Sequence, residues 1–252
     1  YPVLSMRIMD AVRNGAKIIV ADPRNIDIAR HADINIQHNP GTDVALIMGM
    51  IRVIIYEDLM DKEFIRERCE NFDALLESLD EFDLETVEEI TGVNQQKIVE
   101  AARLYAKTEP AAIFYSLGIT EHSHGTDNVF ALSNLALLTG NFGKPYSGVN
   151  PIRGQNNVQG SCDMGCLPDS YPGYQKVQNP DAQKKFENAW NSKLSPNIGL
   201  KILEMMESAR KGEIKAMYIM GENPALSEPD SSNIVRALES TEFLIVQDLF
   251  MT

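Results

Sequence analysis

The feature that most restricts the fold of this chain is a recurring order: a short apolar run, a polar cluster, then a helical pattern. Residues 17–20, Lys17-Ile18-Ile19-Val20, form the first run and end in Ala21-Asp22-Pro23-Arg24. Residues 34–36 form a second, and Gly41-Thr42-Asp43 stands just before a helix expected over about 44–57. Residues 111–115 read as a strand and 127–139 as a helix. Near the end, strand 216–220 closes on Gly221-Glu222-Asn223-Pro224, helix 231–238 follows, and strand 243–246 closes on Gln247-Asp248. Short apolar strands alternating with helices predict parallel sheets covered on both faces. The expected fold is therefore α/β: two three-layer units with mainly parallel sheets, over residues 1–155 and 156–252.

The intervening stretch 140–173 breaks this rhythm. It is rich in Gly, Pro and Asn and holds no convincing element, and loops of that length are usually functional or inter-domain. The domain change is expected near its middle. Upstream, residues 4–13 have helical period with Asn14-Gly15 as a stop, and the acidic stretch 58–108 reads as helix-rich, ending in a helix over 95–107.

Charge and cysteine usage exclude several function classes. A formal net charge of −13 repels nucleic acid and anionic lipid, so a small anionic substrate would need a local cationic anchor. Nothing resembles a signal peptide, and the apolar stretch 44–56 is too short, and broken by Arg52, to insert in a membrane. Three cysteines, Cys69, Cys162 and Cys166, give no disulfide framework and suit a reducing, cytoplasmic setting. Buried thiols are the ordinary reading, with Cys162 and Cys166 as two metal ligands the rival one. The same choice applies to His122 and His124, since His-x-His occurs in metal sites and in exposed loops.

The strand ends carry the candidate ligand contacts. Ligands of open α/β sheets sit beyond the carboxyl ends of the strands, where Asp22 can accept from ribose hydroxyls or guanine nitrogens, or can simply open the next helix. Thr42 or Asp43 suits an N-cap; with a nucleotide docked there, Asp43 fits a base or sugar better than a phosphate. Gly221 permits close backbone approach, Asn223 offers donor and acceptor, and Ser227 follows four residues on, although Asn-Pro also starts turns. Gln247 and Asp248 end the last strand in the same manner. Four polar strand ends over two units suggest two nucleotide-like ligands or one large one. Within Gly148-Val149-Asn150-Pro151-Ile152-Arg153-Gly154-Gln155-Asn156-Asn157-Val158-Gln159-Gly160, a lone arginine among glycines and amides has the form of an anion clamp, whose planar fork grips a carboxylate. A structural Arg–Asp pair is the competing reading.

That run, continued through Cys162-Asp163-Met164-Gly165 to Pro172-Gly173-Tyr174, closely resembles formate dehydrogenases of the DMSO-reductase superfamily. So do Ala21-Asp22-Pro23-Arg24, Gly41-Thr42-Asp43-Val44-Ala45-Leu46, Leu138-Thr139-Gly140-Asn141, Gly221-Glu222-Asn223-Pro224 and the ending Gln247-Asp248-Leu249-Phe250-Met251-Thr252. The resemblance implies a bis-(molybdopterin guanine dinucleotide) cofactor holding Mo or W, its two guanosine arms on the two α/β domains. It implies that Asp22, Arg24, Gly41 and Asp43 contact one arm, that Gly221, Asn223, Ser227, Gln247 and Asp248 contact the other, and that Leu117, Glu121 and Gln155 lie near the pterins. Glu121 departs from the family's pattern, which has glutamine there. Arg153 would hold formate for oxidation to CO2, or the reverse. The resemblance further implies a central fragment, inactive alone. Its metal-ligating Cys or selenocysteine and its 4Fe-4S cysteines would precede Tyr1, and a last cofactor domain would follow Thr252. Implied partners are formate, CO2 and iron–sulfur, hydrogenase or NAD(P)-reducing electron-transfer subunits. Two other readings stand beside it: another molybdopterin oxidoreductase such as a nitrate reductase, and a non-catalytic scaffold like the large iron–sulfur subunit of complex I.

Overall fold

The computed structural model describes every residue except Asn156 and Pro229. The chain divides into two compact units, Tyr1–Gly154 and Gln155–Thr252. The first unit runs α1 (Pro2–Arg13), β1 (Ile19–Ala21), β2 (Ile34–Ile36), α2 (Asp43–Tyr56), α3 (Lys62–Arg68), α4 (Phe72–Ser78), α5 (Leu84–Thr91), α6 (Gln95–Lys107), β3 (Ala112–Tyr115), α7 (Leu117–Thr120), α8 (Gly125–Leu138) and β4 (Gly148–Pro151).

α2 organises this unit because it is apolar nearly all round, the signature of a central buried helix. Leu46, Met50, Ile51 and Ile54 are buried, and the helix packs against α5, α6 and α8. Gly49 permits the approach of α5: a Cβ there would stand 2.9 Å from a Val87 methyl. The resulting cluster holds twenty buried apolar residues among those described, enough to make one continuous core. Buried Asn141 joins the end of α8 to the start of β3, accepting from the Ala111 amide at 2.9 Å and donating to the Thr139 hydroxyl at 3.0 Å. Two parallel pairs flank the helices: β1 with β2, in register Ala21 to Ile36, and β3 with β4, in register Tyr115 to Pro151.

The second unit runs α9 (Val158–Asp163), β5 (Ser170–Tyr171), β6 (Gln175–Lys176), α10 (Pro180–Trp190), α11 (Ile202–Arg210), β7 (Ala216–Met220), α12 (Pro224–Ser227), α13 (Ser231–Glu239) and β8 (Phe243–Gln247). It has two small cores. Tyr171, Phe186 and Trp190 form one aromatic cluster with centroid separations of 4.8–6.1 Å. Met206, Ala209, Ile234 and Ala237 form the other, with Met217 of β7 packed on it. β7 and β8 pair in parallel, Met220 opposite Gln247, whereas β5 and β6 form a small antiparallel pair.

Mainly parallel sheets joined by helices are as expected, but among the described residues each sheet has two strands, and the last one is not covered on both faces. Every residue of β8 is exposed, because α11 and α13 shield only the Met217 side of β7. The stretch 140–173 also holds more order than its composition suggested: β4, α9 and β5 lie in it. Gly148-Val149-Asn150-Pro151 lacks the apolar alternation of a strand, and only its pairing with β3 makes it one. No helix is long and apolar enough to cross a membrane among the described residues.

Candidate functional site

Parallel pairing puts the carboxyl ends of paired strands side by side, which gathers the polar strand-end residues without any help from their sequence spacing. Beyond β1 and β2, Asp22 accepts from the Arg24 backbone amide at 2.8 Å and its Nε at 3.3 Å, while the Arg24 side chain stays largely in solvent. Thr42 takes the N-cap position of α2, but its hydroxyl donates back to the Asn39 carbonyl at 2.7 Å and caps nothing.

Asp43, the first residue of α2, is buried, and its Oδ1 accepts from Nε2 of buried His38 at 3.1 Å. Its Oδ2 lies 3.8 Å from Nε2 of His122. Burial opposes ionisation of Asp43, but the hydrogen bond and charge of His38, its own backbone amide and the charge of His122 together outweigh it. The carboxyl is held below the ordinary aspartate value. With Nε2 of His38 donating to Asp43, Nδ1 is left buried without a partner in the protein. His122 meanwhile donates from Nε2 to the Gly118 carbonyl at 2.9 Å and stacks on His124 at 5.4 Å.

Through His122, the α2 start adjoins the ends of β3 and β4. The Ile152 amide donates to the Tyr115 carbonyl at 2.7 Å, and Ser116 Oγ donates to the Ile152 carbonyl at 2.8 Å. Leu117 and Glu121 therefore follow β3 beside the place where Arg153 follows β4. All three are exposed, and no ion pair of Arg153 occurs among the described residues. In the first unit the structure thus brings Asp43, Leu117, Glu121 and Arg153 to one neighbourhood of strand ends, with Asp22, Arg24 and Gly41 around the end of β1 and β2.

In the second unit, Gly221 donates its amide to the Gln247 carbonyl at 2.9 Å, so Gly221, Gln247 and Asp248 are gathered at the shared end of β7 and β8. Asn223 starts α12, and the Ser227 hydroxyl reaches back to its carbonyl at 3.2 Å. Gln155 is exposed at the start of this unit. At Gly41 (φ +81°) and Gly221 (φ +62°) nothing lies within 4 Å of where a Cβ would sit, so bare backbone is presented at a strand end of each unit. Within each unit, bare backbone at a strand end lies beside polar side chains, and the first unit adds an unpartnered buried imidazole nitrogen; each set taken by itself suits a ligand rich in hydrogen-bonding groups.

The thiols differ from expectation: Cys166 is exposed and Cys162 half-buried, because α9 is a short surface helix without a buried residue. No group of three His, Cys, Asp or Glu able to hold a metal ion occurs among the described residues. Sequence reasoning missed His38, Ser116 and Asn128. A histidine five residues before an aspartate has no periodic signal, and an asparagine inside an apolar helix reads as a weak helix former.

The pattern described as molybdopterin oxidoreductase matches residues 1–252. The F420-dependent formate dehydrogenase subunit alpha of Methanocaldococcus jannaschii is 52% identical over 252 residues, which is 100% of this chain and 37% of that protein. Formate dehydrogenase H of Escherichia coli is 47% identical over 253 residues, 100% of this chain and 35% of that protein. Among solved structures, acetylene hydratase from Pelobacter acetylenicus superposes with a TM-score of 0.72 at 26% identity, over 97% of this chain and 36% of that one. The chain spans little more than a third of the length of these two curated relatives, yet the family match runs from its first residue to its last, and on that ground it belongs to the molybdopterin oxidoreductase family.

Proposed function

We propose that these 252 residues form the cofactor-cradling and substrate-orienting part of a formate dehydrogenase catalytic subunit, acting with a bis-(molybdopterin guanine dinucleotide) holding Mo or W. The observation that carries this reading is the exposed Arg153 guanidinium at the end of β4, beside Leu117 and Glu121 at the end of β3. In an acidic chain that guanidinium is the anchor a small carboxylate requires. Asp22, Arg24, Gly41 and Asp43 would serve one guanosine arm, and Gly221, Asn223, Ser227, Gln247 and Asp248 the other. Because Asp43 is buried against His38, its part is to fix the start of α2 more than to meet solvent-borne ligand directly. Leu117, Glu121 and Gln155 would line the pterins.

The cofactor supplies the two-electron acceptor. The part of the chain is orientation: two parallel N–H···O bonds from Arg153 hold the formate carboxylate so that its C–H is presented in one direction, turning a random encounter into an oriented one. Formate then gives up a proton and two electrons and leaves as CO2. Electrons would pass to a 4Fe-4S cluster and to partner iron–sulfur, hydrogenase or NAD(P)-reducing subunits, in a cytoplasmic enzyme.

The test uses a polypeptide of the relatives' full length carrying these residues. Formate-dependent dye reduction with about one bound pterin pair per chain is expected. Charge-assisted hydrogen bonds contribute about 1.5–3 kcal/mol each, so Arg153→Lys should lose roughly ten- to a hundredfold in kcat/KM, and Arg153→Ala more. Pterin and metal content should stay at the wild-type level in both. Full formate activity in Arg153→Lys, or loss of metal in either variant, would refute the assignment.

A further inference from the structure

α7 is a single turn of four residues with no buried side chain, and Leu117 is half in solvent. A turn that short does not have the length to hold itself in water, and Ile119 is its one side chain packed against the core among the described residues. Two of its carbonyls are nevertheless taken by side chains that follow it, and a third is given room by a glycine. The Gly118 carbonyl accepts from His122 Nε2 at 2.9 Å, and the same nitrogen lies 3.8 Å from Oδ2 of Asp43, which His38 holds in turn. The Ile119 carbonyl accepts from Asn128 Nδ2 at 2.8 Å. The Thr120 carbonyl lies so close to Gly125 that a Cβ there would stand 2.1 Å from its oxygen.

Asn128 and Gly125 are locally unfavourable for α8, the helix that carries them, whereas His122 lies in the turn between α7 and α8. Asn128 is fully buried inside α8 with its Oδ1 unpartnered, and asparagine competes with the helix backbone for hydrogen bonds. Gly125 opens α8 at the cost of backbone freedom. Residues that break a local rule are expected at functional or strained sites, and what these share is the α7 turn.

We infer that Asn128, His122 and Gly125 are positioning residues that lock the Leu117–Glu121 segment in place, and so set the pterin contacts made from the end of β3. The inference rests on the reading of Leu117 and Glu121 as pterin-side residues. None of the three is a catalytic residue; each acts through the backbone of α7.

The test compares wild type with Asn128→Ala, His122→Leu and His122→Gln in the full-length holoenzyme, by amide hydrogen exchange of residues 116–124, pterin content and the kcat-against-KM split. Glutamine places an amide N–H about where Nε2 stands, so His122→Gln should stay near wild type. His122→Leu and Asn128→Ala should exchange about tenfold or more faster in that segment alone, since local opening is set by local contacts, and should lose pterin on dilution. Their kcat should fall with bound pterin while KM for formate holds. His122 is partly exposed, so its pair of variants gives the answer even where Asn128→Ala does not fold. Equal behaviour of Gln and Leu at 122, or faster exchange with unchanged pterin content, would overturn the inference. Formate oxidation by the wild type is scored separately and judges the proposed function by itself.

Discussion

The two strand-end clusters are built from the same parts and finished to different degrees. At the start of α2, Asp43 sits under a core of twenty buried residues and is held by His38. At the end of β7 and β8, Gly221, Gln247 and Asp248 are exposed over a core of four. The Asp43–His38 part of the first cluster is therefore held in place by the protein itself, whereas the polar groups at the end of β7 and β8 all face water. Preorganisation lowers the cost of ordering on binding, so on the proposed reading Asp43 would supply fixed geometry and the second unit adaptable contacts.

The largest test of that contrast is in the cores. Ile54 is fully buried, so Ile54→Ala should destabilise the first unit by about 2–5 kcal/mol, whereas Val246→Ala on half-exposed β8 should cost less than about 1 kcal/mol. Trp190, the only tryptophan, lies in the second unit and reports its urea transition by fluorescence; hydrogen exchange in α2 reports the first. Equal losses for the two substitutions would erase the distinction.

A smaller effect is expected at His38. His38→Ala leaves the Asp43 carboxylate buried without its donor, and should cost about 1–3 kcal/mol, read as a lower denaturation midpoint of the first unit. Unchanged stability would mean that Asp43 finds water instead.

Acid should separate the units next. Asp43 has its folded value depressed, so its contribution is full above the unfolded value, about 3.9, and is lost as pH falls through the lower folded value. Acid titration of α2 exchange below about pH 4 should therefore show a loss that Asp43→Asn flattens; the same slope in both proteins would rule the carboxylate out. The smallest effect belongs to Asp248→Asn, an exposed change expected to stay within about 0.5 kcal/mol in the same melts.

Much of the fold was legible because apolar periodicity does not depend on partners. β2, α2, α6 and β7 stand where their patterns put them, and the Asn14-Gly15 stop follows α1, with Gly15 at φ +96°. β4 was not legible, since Gly148-Val149-Asn150-Pro151 is extended only through pairing with β3. Of the site, the strand-end residues could be named from sequence because parallel sheets gather such ends whatever the sequence spacing. The grip on α7 could not, because His122, Gly125 and Asn128 act on carbonyls, and a backbone carbonyl has no letter in a sequence.

The openness of β8 bears on how this chain behaves in a tube. Phe243, Leu244, Ile245 and Val246 are 39–62% exposed, uncharged and rich in β-branched and aromatic side chains, on a strand that pairs only with β7 among the described residues. An uncovered edge of that kind is a template for another chain to add a strand. Handled as 252 residues by itself, the protein should self-associate with rising concentration despite its strong negative charge, because charge elsewhere does not shield a strand edge. A lysine on that strand, Ile245→Lys, should keep it monomeric in light scattering; unchanged association would place the sticky surface elsewhere.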